Sequence, residues 1–264
     1  MTAPDRFANL RAYTAARIGL VRSGPGIATP DHLAFRAAHA LARDAVHTSL
    51  DLEAMEARLA PLGLPVLRVE SRCPDQASYL TRPDLGRRLA EPSAALLRER
   101  APGEEIAVLV AGGLSALATA NHAAALLGLL VPELHRSGRR VGPICIAPRG
   151  RVALGDEVGA LLSARLVLVL IGERPGLTAP DSLGAYVTIA PRIGRTDADR
   201  NCVSNIRPEG MALPEAARRI GWLIVQAMAR GISGVALKDG SDKILVAAPA
   251  EVKGLTRPGA RAPD

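Results

Sequence analysis

The sequence predicts a doubly wound, mostly parallel α/β sheet, Rossmann-like, with an α-helical N-terminal segment. Three observations predict it. Stretches such as "IAVLVA" (106–111) and "LVLVLI" (166–171) are apolar throughout, as strands covered on both faces are. They alternate with helical patterns, which builds crossovers and therefore parallel pairing. Before residue 63 the patterns are helical and no strand is convincing. Residues 1–62 are thus expected to form the helical N-terminal segment, 63–252 the Rossmann-like α/β domain and 253–264 a flexible tail.

The elements follow in order. "PDHLAFRAAHALARDAVH" (30–47) opens with Pro30 and Asp31 in capping positions and sets Leu33, Ala37, Ala40 and Leu41 at helical spacing. The Gly/Pro-rich "RSGPGIATP" before it reads as loop, and 52–62 as a short helix closed by Pro61 and Gly63. "VLRVE" (66–70) is the first strand, and "RPDLGRRLAEPSAALLRER" (82–100) a helix with Pro83 near its start. Strand 106–111 leads through two glycines into the helix "GGLSALATANHAAALLGLL", and "GPICIA" (142–147) is the next strand. Helix "LGDEVGALLSA", strand 166–172 and strand "AYVTIA" (185–190) follow, then a long loop from Pro191 to Pro214. The last helix runs from Pro214 to its stop at Gly231.

A hydrophobic content of 48% in 264 residues is ample for a sizeable core, but with 2% aromatics it must be built from Ala, Leu, Val and Ile. The formal charge is +7, almost all of it arginine, since Lys238, Lys243 and Lys253 are the only lysines. The arginines are scattered and aromatics for stacking bases are scarce, so nucleic acid is not the expected partner. Arginine's planar fork suits a protein interface better. Cys73, Cys145 and Cys202 are odd in number, widely spaced and without a CxxC pair, which argues against disulfides and structural zinc and for a reducing compartment. No signal-peptide pattern opens the chain and no run reads as a bilayer span, so no membrane association is expected.

Several chemistries lack their signature. No GxGxxG follows the first strand, "AGGLSA" is too short to be that fingerprint, and GxxxxGK[ST] and GxSxG do not occur. The histidines (32, 39, 47, 122 and 135) fall mostly on helical patterns, and His39 and His47, eight apart, have no third ligand nearby; no metal site is assigned.

Glu173 stands apart. It follows an apolar strand and precedes Arg174-Pro175-Gly176, which must turn. In α/β sheets ligands bind beyond the carboxyl ends of strands. A carboxylate there either pairs with a neighbouring arginine or accepts hydrogen bonds from a ligand, because burying it unpaired costs too much. Cys202 is placed in the long polar loop and not in a core helix. The charged turns holding Arg82, Asp84, Arg87, Arg88 and Asp156 read more simply as capped helix ends.

The segments "TAARIGLVRSG", "YLTRPDLGRRL", "GRVALGDEVG", "VLVLIGERPGL", "DSLGAY", "PRIGRTDADRNCVSNIRPEG" and "SGVALKD", in this order from about Arg11 to Asp239, resemble the small subunit of ethanolamine ammonia-lyase. "GERPG" followed by "DRNCVSNI" is the specific combination. The resemblance implies a hetero-oligomer in which a TIM-barrel large subunit binds ethanolamine and handles the radicals. Adenosylcobalamin is then held between the two subunits, and ethanolamine becomes acetaldehyde and ammonia. By motif it implies cofactor contacts at Val152 of "GRV", Glu173 of "GERPG" and Cys202 of "DRNC", with no catalytic residue on this chain. It further implies the bacterial cytoplasm, in some members a microcompartment. The D-x-H-x-x-G signature of histidine-ligated cobalamin is absent, consistent with a cofactor that keeps its own base on cobalt. In one departure, family members read "DGLSA" where this chain has Gly112. The arginines of "RPDLGRR" (Arg82, Arg87, Arg88) stay without a role. The alternatives are a stand-alone nucleotide-dependent α/β enzyme and an Arg-rich nucleic-acid module; both lack the expected motifs.

Overall fold

The computed structural model describes residues 7–242 apart from 12, 15, 21 and 101–104, so the tail assigned to 253–264 lies outside the described residues. Helix α1 (Ala8–Arg11) is followed by a small antiparallel hairpin of β1 (Arg22–Ser23) and β2 (Gly26–Ile27). That hairpin corrects the reading of "RSGPGIATP" as plain loop: Gly24-Pro25 turns tightly enough for its flanks to pair. Helix α2 (Thr29–His47) starts one residue earlier than its sequence suggests, with Pro30 inside its first turn. Helix α3 (Leu52–Leu59) is capped by Asp51, whose side chain accepts from Ala54 N at 3.0 Å, and ends in a 3-10 turn, Ala60–Leu62.

Six strands make the sheet: β3 (Val66–Arg68), β4 (Ile106–Ala111), β5 (Val141–Ala147), β6 (Leu166–Gly172), β7 (Leu183–Ile189) and β8 (Asn201–Ile206), in the order β3-β5-β4-β6-β7-β8. The pairings β3/β5, β4/β5 and β4/β6 are parallel, whereas β6/β7 and β7/β8 are antiparallel. The sheet is therefore mostly parallel with an antiparallel margin, a Rossmann-like α/β fold.

Two corrections concern the chain between these strands. The expected single helix over 82–100 is shortened to α5 (Glu91–Arg98); residues 82–90 before it hold a 3-10 turn (Leu85–Arg87), and a separate short helix, α4 (Gln76–Thr81), precedes them. Pro83 and Pro92 account for it, since a proline fits the first turn of a helix but not its interior. The long loop of 191–214 contains β8, which carries Cys202. As an edge strand it leaves Cys202, Ser204 and Asn205 to solvent, so "NCVSNI" lacks the apolar run by which the central strands were found.

Every residue of β4, β5 and β6 is buried, because helices cover both faces. Side chains alternate between the faces. Ile106, Val108 and Val110 of β4 pack with α3, α6 (Ala116–Arg136) and α8 (Leu213–Arg230), while Ala107, Leu109 and Ala111 pack with α5 and α7 (Leu154–Leu161). Each such leucine or valine contributes about 1.5–3 kcal/mol by leaving water. Contrary to the expectation from sequence, α6 is long and apolar enough to cross a membrane by length and composition alone. Its apolar side instead supplies Leu126, Leu127, Leu130 and Leu134 to the core.

Candidate functional site

The parallel strands β4, β5 and β6 end together, and each hands the chain to a different place. The turn after β4 runs to α6 on one face and that after β5 to α7 on the other, while the segment after β6 returns through β7. Such a divergence opens a crevice at the strand ends. A cleft of about 420 Å³ lies there, walled by Leu114, Val152, Ile171, Glu173, Tyr79 and Tyr186, with Arg151, Gly172 and Arg174 completing it.

The turn after β4 is held close. Gly113 adopts φ +63, a conformation natural to glycine, and a Cβ there would overlap the Gly172 carbonyl. Leu114 N donates to that carbonyl at 3.0 Å, and the Ser115 hydroxyl donates to Pro180 O at 2.8 Å. The glycine-rich turn is thus a close approach of two strand ends. Gly112, where the resembling family has aspartate, backs so closely on Pro148 that a Cβ would overlap its carbonyl oxygen.

The turn carrying Val152 is fixed by the segment before α5. Tyr79 donates its hydroxyl to Gly150 O at 2.8 Å, and Arg151 N donates to Gly86 O at 2.8 Å. The Arg151 guanidinium donates to Tyr79 O at 2.8 Å and stacks 4.3 Å above the Tyr79 ring. Burial pushes the Tyr79 hydroxyl up to about 12, so it stays a neutral donor. Part of "RPDLGRR" thereby acquires a structural role. Arg88 pairs with buried Glu157 at 3.0 Å, and Arg82 pairs with Asp84 at 2.7 Å on the surface. Arg87 is exposed and makes no ion pair with the described residues.

Glu173 resolves the choice its sequence context posed. It makes no ion pair among the described residues, with Arg174 or any other arginine. Its Oε2 accepts from the Ser182 hydroxyl and from Asn205 N at 3.1 Å, and its backbone N–H donates to Ser182 O at 2.9 Å. Oε1 accepts no hydrogen bond from the described residues, so half of a positioned carboxylate remains at the cleft wall. The segment 174–182 beside it is tied down by Asp181, which lies 3.4 Å from His122 and 3.6 Å from Arg207. His122 is a buried structural residue of α6, and His39 and His47 are exposed on α2.

Cys202 lies one strand away from the cleft. It is the register partner of Tyr186. Although the residue as a whole is exposed, desolvation of its thiol pushes the Cys202 pKa up, against a downward pull from Tyr186. A buried ion pair anchors β8 to α7: Arg200 donates to both Asp156 oxygens at 2.6 and 2.8 Å, and both side chains are 2% exposed. Burial pushes the Asp156 carboxyl up against the pull of Arg200.

Of the three residues singled out by motif, Val152 and Glu173 wall one cleft, and Cys202 stands behind its Tyr186 wall. Sequence reasoning missed Tyr79, Arg151 and Tyr186. A signal for two of them existed: the chain has only three tyrosines, and two of the three meet here.

Residues 4–238 match the family Ethanolamine ammonia-lyase light chain (EutC). The chain belongs to this family. Proteins named ethanolamine ammonia-lyase small subunit are similar to it throughout. That of Rhodopseudomonas palustris (strain BisA53) is 52% identical over 252 residues, 95% of either chain. That of Xanthomonas campestris pv. campestris (strain ATCC 33913) is 49% identical over 92% of this chain and 90% of its own. The Azotobacter vinelandii protein is 50% identical over 87% of each. As an ethanolamine ammonia-lyase light chain, the protein is a subunit of a lyase. Its three named residues and their cleft sit in the matched region.

Proposed function

We propose that this chain is the small subunit of an adenosylcobalamin-dependent ethanolamine ammonia-lyase and forms one half of a socket whose other half is the large subunit. Val152, Glu173 and Cys202 are the assigned cofactor contacts. The observation that carries the reading is the cleft itself: an open, mostly apolar wall with a fixed but half-free carboxylate, at the strand ends of a light chain of this family. A corrin presents a broad apolar plane with a fringe of amides. Leu114, Val152, Ile171 and the tyrosine rings offer flat apolar contact, and Glu173 Oε1 offers an acceptor for an amide N–H. The cleft is too small to enclose such a ring, which suits a shared socket.

When bound, the cofactor supplies radical chemistry through homolysis of its cobalt–carbon bond. This chain's residues orient and hold. Ser182 and Asn205 fix the Glu173 carboxylate before any ligand arrives, so little ordering is left to the binding step. Ethanolamine binding and the reaction itself belong to the large subunit. The assembly is placed in the cytoplasm, which suits three free cysteines.

The test is an absorbance titration of the complex reconstituted from both subunits. Glu173→Gln should weaken adenosylcobalamin binding by about 10- to 100-fold, the worth of a hydrogen bond to a charged group. The isolated variant should melt like the parent. Unchanged cofactor affinity defeats the contact, and ethanolamine turnover by this chain alone defeats the division of labour.

A further inference from the structure

Beside the candidate socket lies a second cleft of about 400 Å³, and Arg151 and Val152 form the wall between them. Its charged lining is four arginines, Arg87, Arg151, Arg195 and Arg200, against one carboxylate, Asp197. The arginines come from three separate stretches, Arg87, Arg151 and the segment of Arg195 and Arg200, so the fold assembles this charge and no single basic run does.

Three of the four are anchored. Arg151 donates to Tyr79 O, Arg195 pairs with Asp199 at 3.2 Å, and Arg200 holds Asp156. Anchoring fixes these guanidinium groups in place at the cleft; the unpaired Nε atoms, on Arg151 and Arg200, are buried away from it. Arg200 is only 7% exposed, and its Nε stands 3.6 Å from Asp197 without donating to it. Arg87 lines the rim with no ion pair among the described residues. At the floor, helix α7 begins without a side-chain cap, and the N–H groups of Val152 and Ala153 make no hydrogen bond among the described residues.

Guanidinium groups and a bare helix start facing one space are the arrangement that binds an oxyanion with several oxygens. We propose that this second cleft binds a phosphate ester, and that with the corrin against Val152 it takes the phosphate of the cofactor's own nucleotide arm. The assignment rests on the function proposed above and extends it from the ring to the arm. It also gives Arg87 of "RPDLGRR" a part to play: closing the rim over the phosphate.

The test uses the reconstituted two-subunit complex and three corrinoids: adenosylcobalamin, adenosylcobinamide phosphate and adenosylcobinamide. The last two differ by the phosphate alone. The parent complex should bind the phosphorylated cobinamide about tenfold or more tightly than the unphosphorylated one. Arg87→Gln, at an exposed position, should close that gap and weaken adenosylcobalamin by a similar factor while leaving adenosylcobinamide unchanged. Equal affinity of the parent for both cobinamides overturns the proposal, as does an equal loss for both in the variant. Stabilisation of the complex by inorganic phosphate, lost in Arg87→Gln and without any gap between the cobinamides, would assign the cleft to a free phosphate ester and overturn the cofactor assignment. Failure to bind any of the three corrinoids would instead defeat the function proposed above.

Discussion

Helix α7 is eight residues long and buries six of them, the carboxylates of Asp156 and Glu157 included. Helix α2 is 19 residues long, buries only Ala45 and leaves Leu33, Phe35 and Leu41 exposed. Polarity and burial are inverted between the two. In α7 each buried charge has its partners: Arg200 for Asp156, and Arg88 with Leu89 N at 2.9 Å for Glu157. In α2 the side that meets the rest of the chain is alanine, around Ala38, Ala42 and Ala45, and the leucines project elsewhere. Where a side chain lies is therefore decided by which groups the topology brings within reach, as much as by its hydropathy.

The largest effect should come from breaking the buried pair. Asp156→Ala leaves the buried Arg200 cation with only the exposed Asp197, 3.6 Å from its Nε, a loss of about 3–5 kcal/mol. Arg82→Ala removes an ion pair of similar length from the surface, where such pairs contribute about 0–1 kcal/mol. Urea unfolding of both variants at neutral pH measures the contrast. Equal losses would mean that burial does not set the worth of the Asp156 pair.

A second measurement sharpens the comparison through the thiols. Burial pushes Cys145 up to about 12 and raises Cys73, and both are buried; Cys202 is also raised but is exposed on β8. A raised pKa means that thiolate is scarce at neutral pH and grows as pH climbs through the raised value. Alkylation of the folded chain should therefore label Cys202 first, slowly at neutral pH, with a rate still rising above pH 9.0, the ordinary cysteine value. A rate that levels off below it contradicts the assigned environment. Tyr186→Phe removes the hydroxyl that pulls the Cys202 pKa down and should slow the labelling further.

Legibility from sequence follows the same division. Strands β4, β5 and β6 were readable because burial on both faces forces continuous apolar runs. Strand β8 was not, since its exposed, polar positions look like loop, and the antiparallel sense of β7 leaves no mark on composition. Glu173 stood out locally, as a charge at the end of a buried strand. Val152 and Cys202 stood out only through family motifs, because what places them is long-range. Arg200 reaches Asp156 across 44 positions of sequence, and Tyr79 reaches Gly150 across 71. Spacing along the chain carries no information on such contacts.

The smallest expected effect lies on α2, and it tests the comparison from the other side. Leu33 is 57% exposed and Leu41 59%, so little apolar surface returns to water when either is replaced. Glutamine keeps nearly the helix propensity of leucine. Leu33→Gln and Leu41→Gln should each shift the stability of the isolated chain by no more than about 0.5 kcal/mol. Leu126→Ala, at a fully buried position of α6, should cost about 2–5 kcal/mol in the same titration. If Leu41→Gln instead approached the cost of Leu126→Ala, the apolar stripe of α2 would be packed within the isolated chain. The contrast with α7 would then reduce to an ordinary difference between two buried helices.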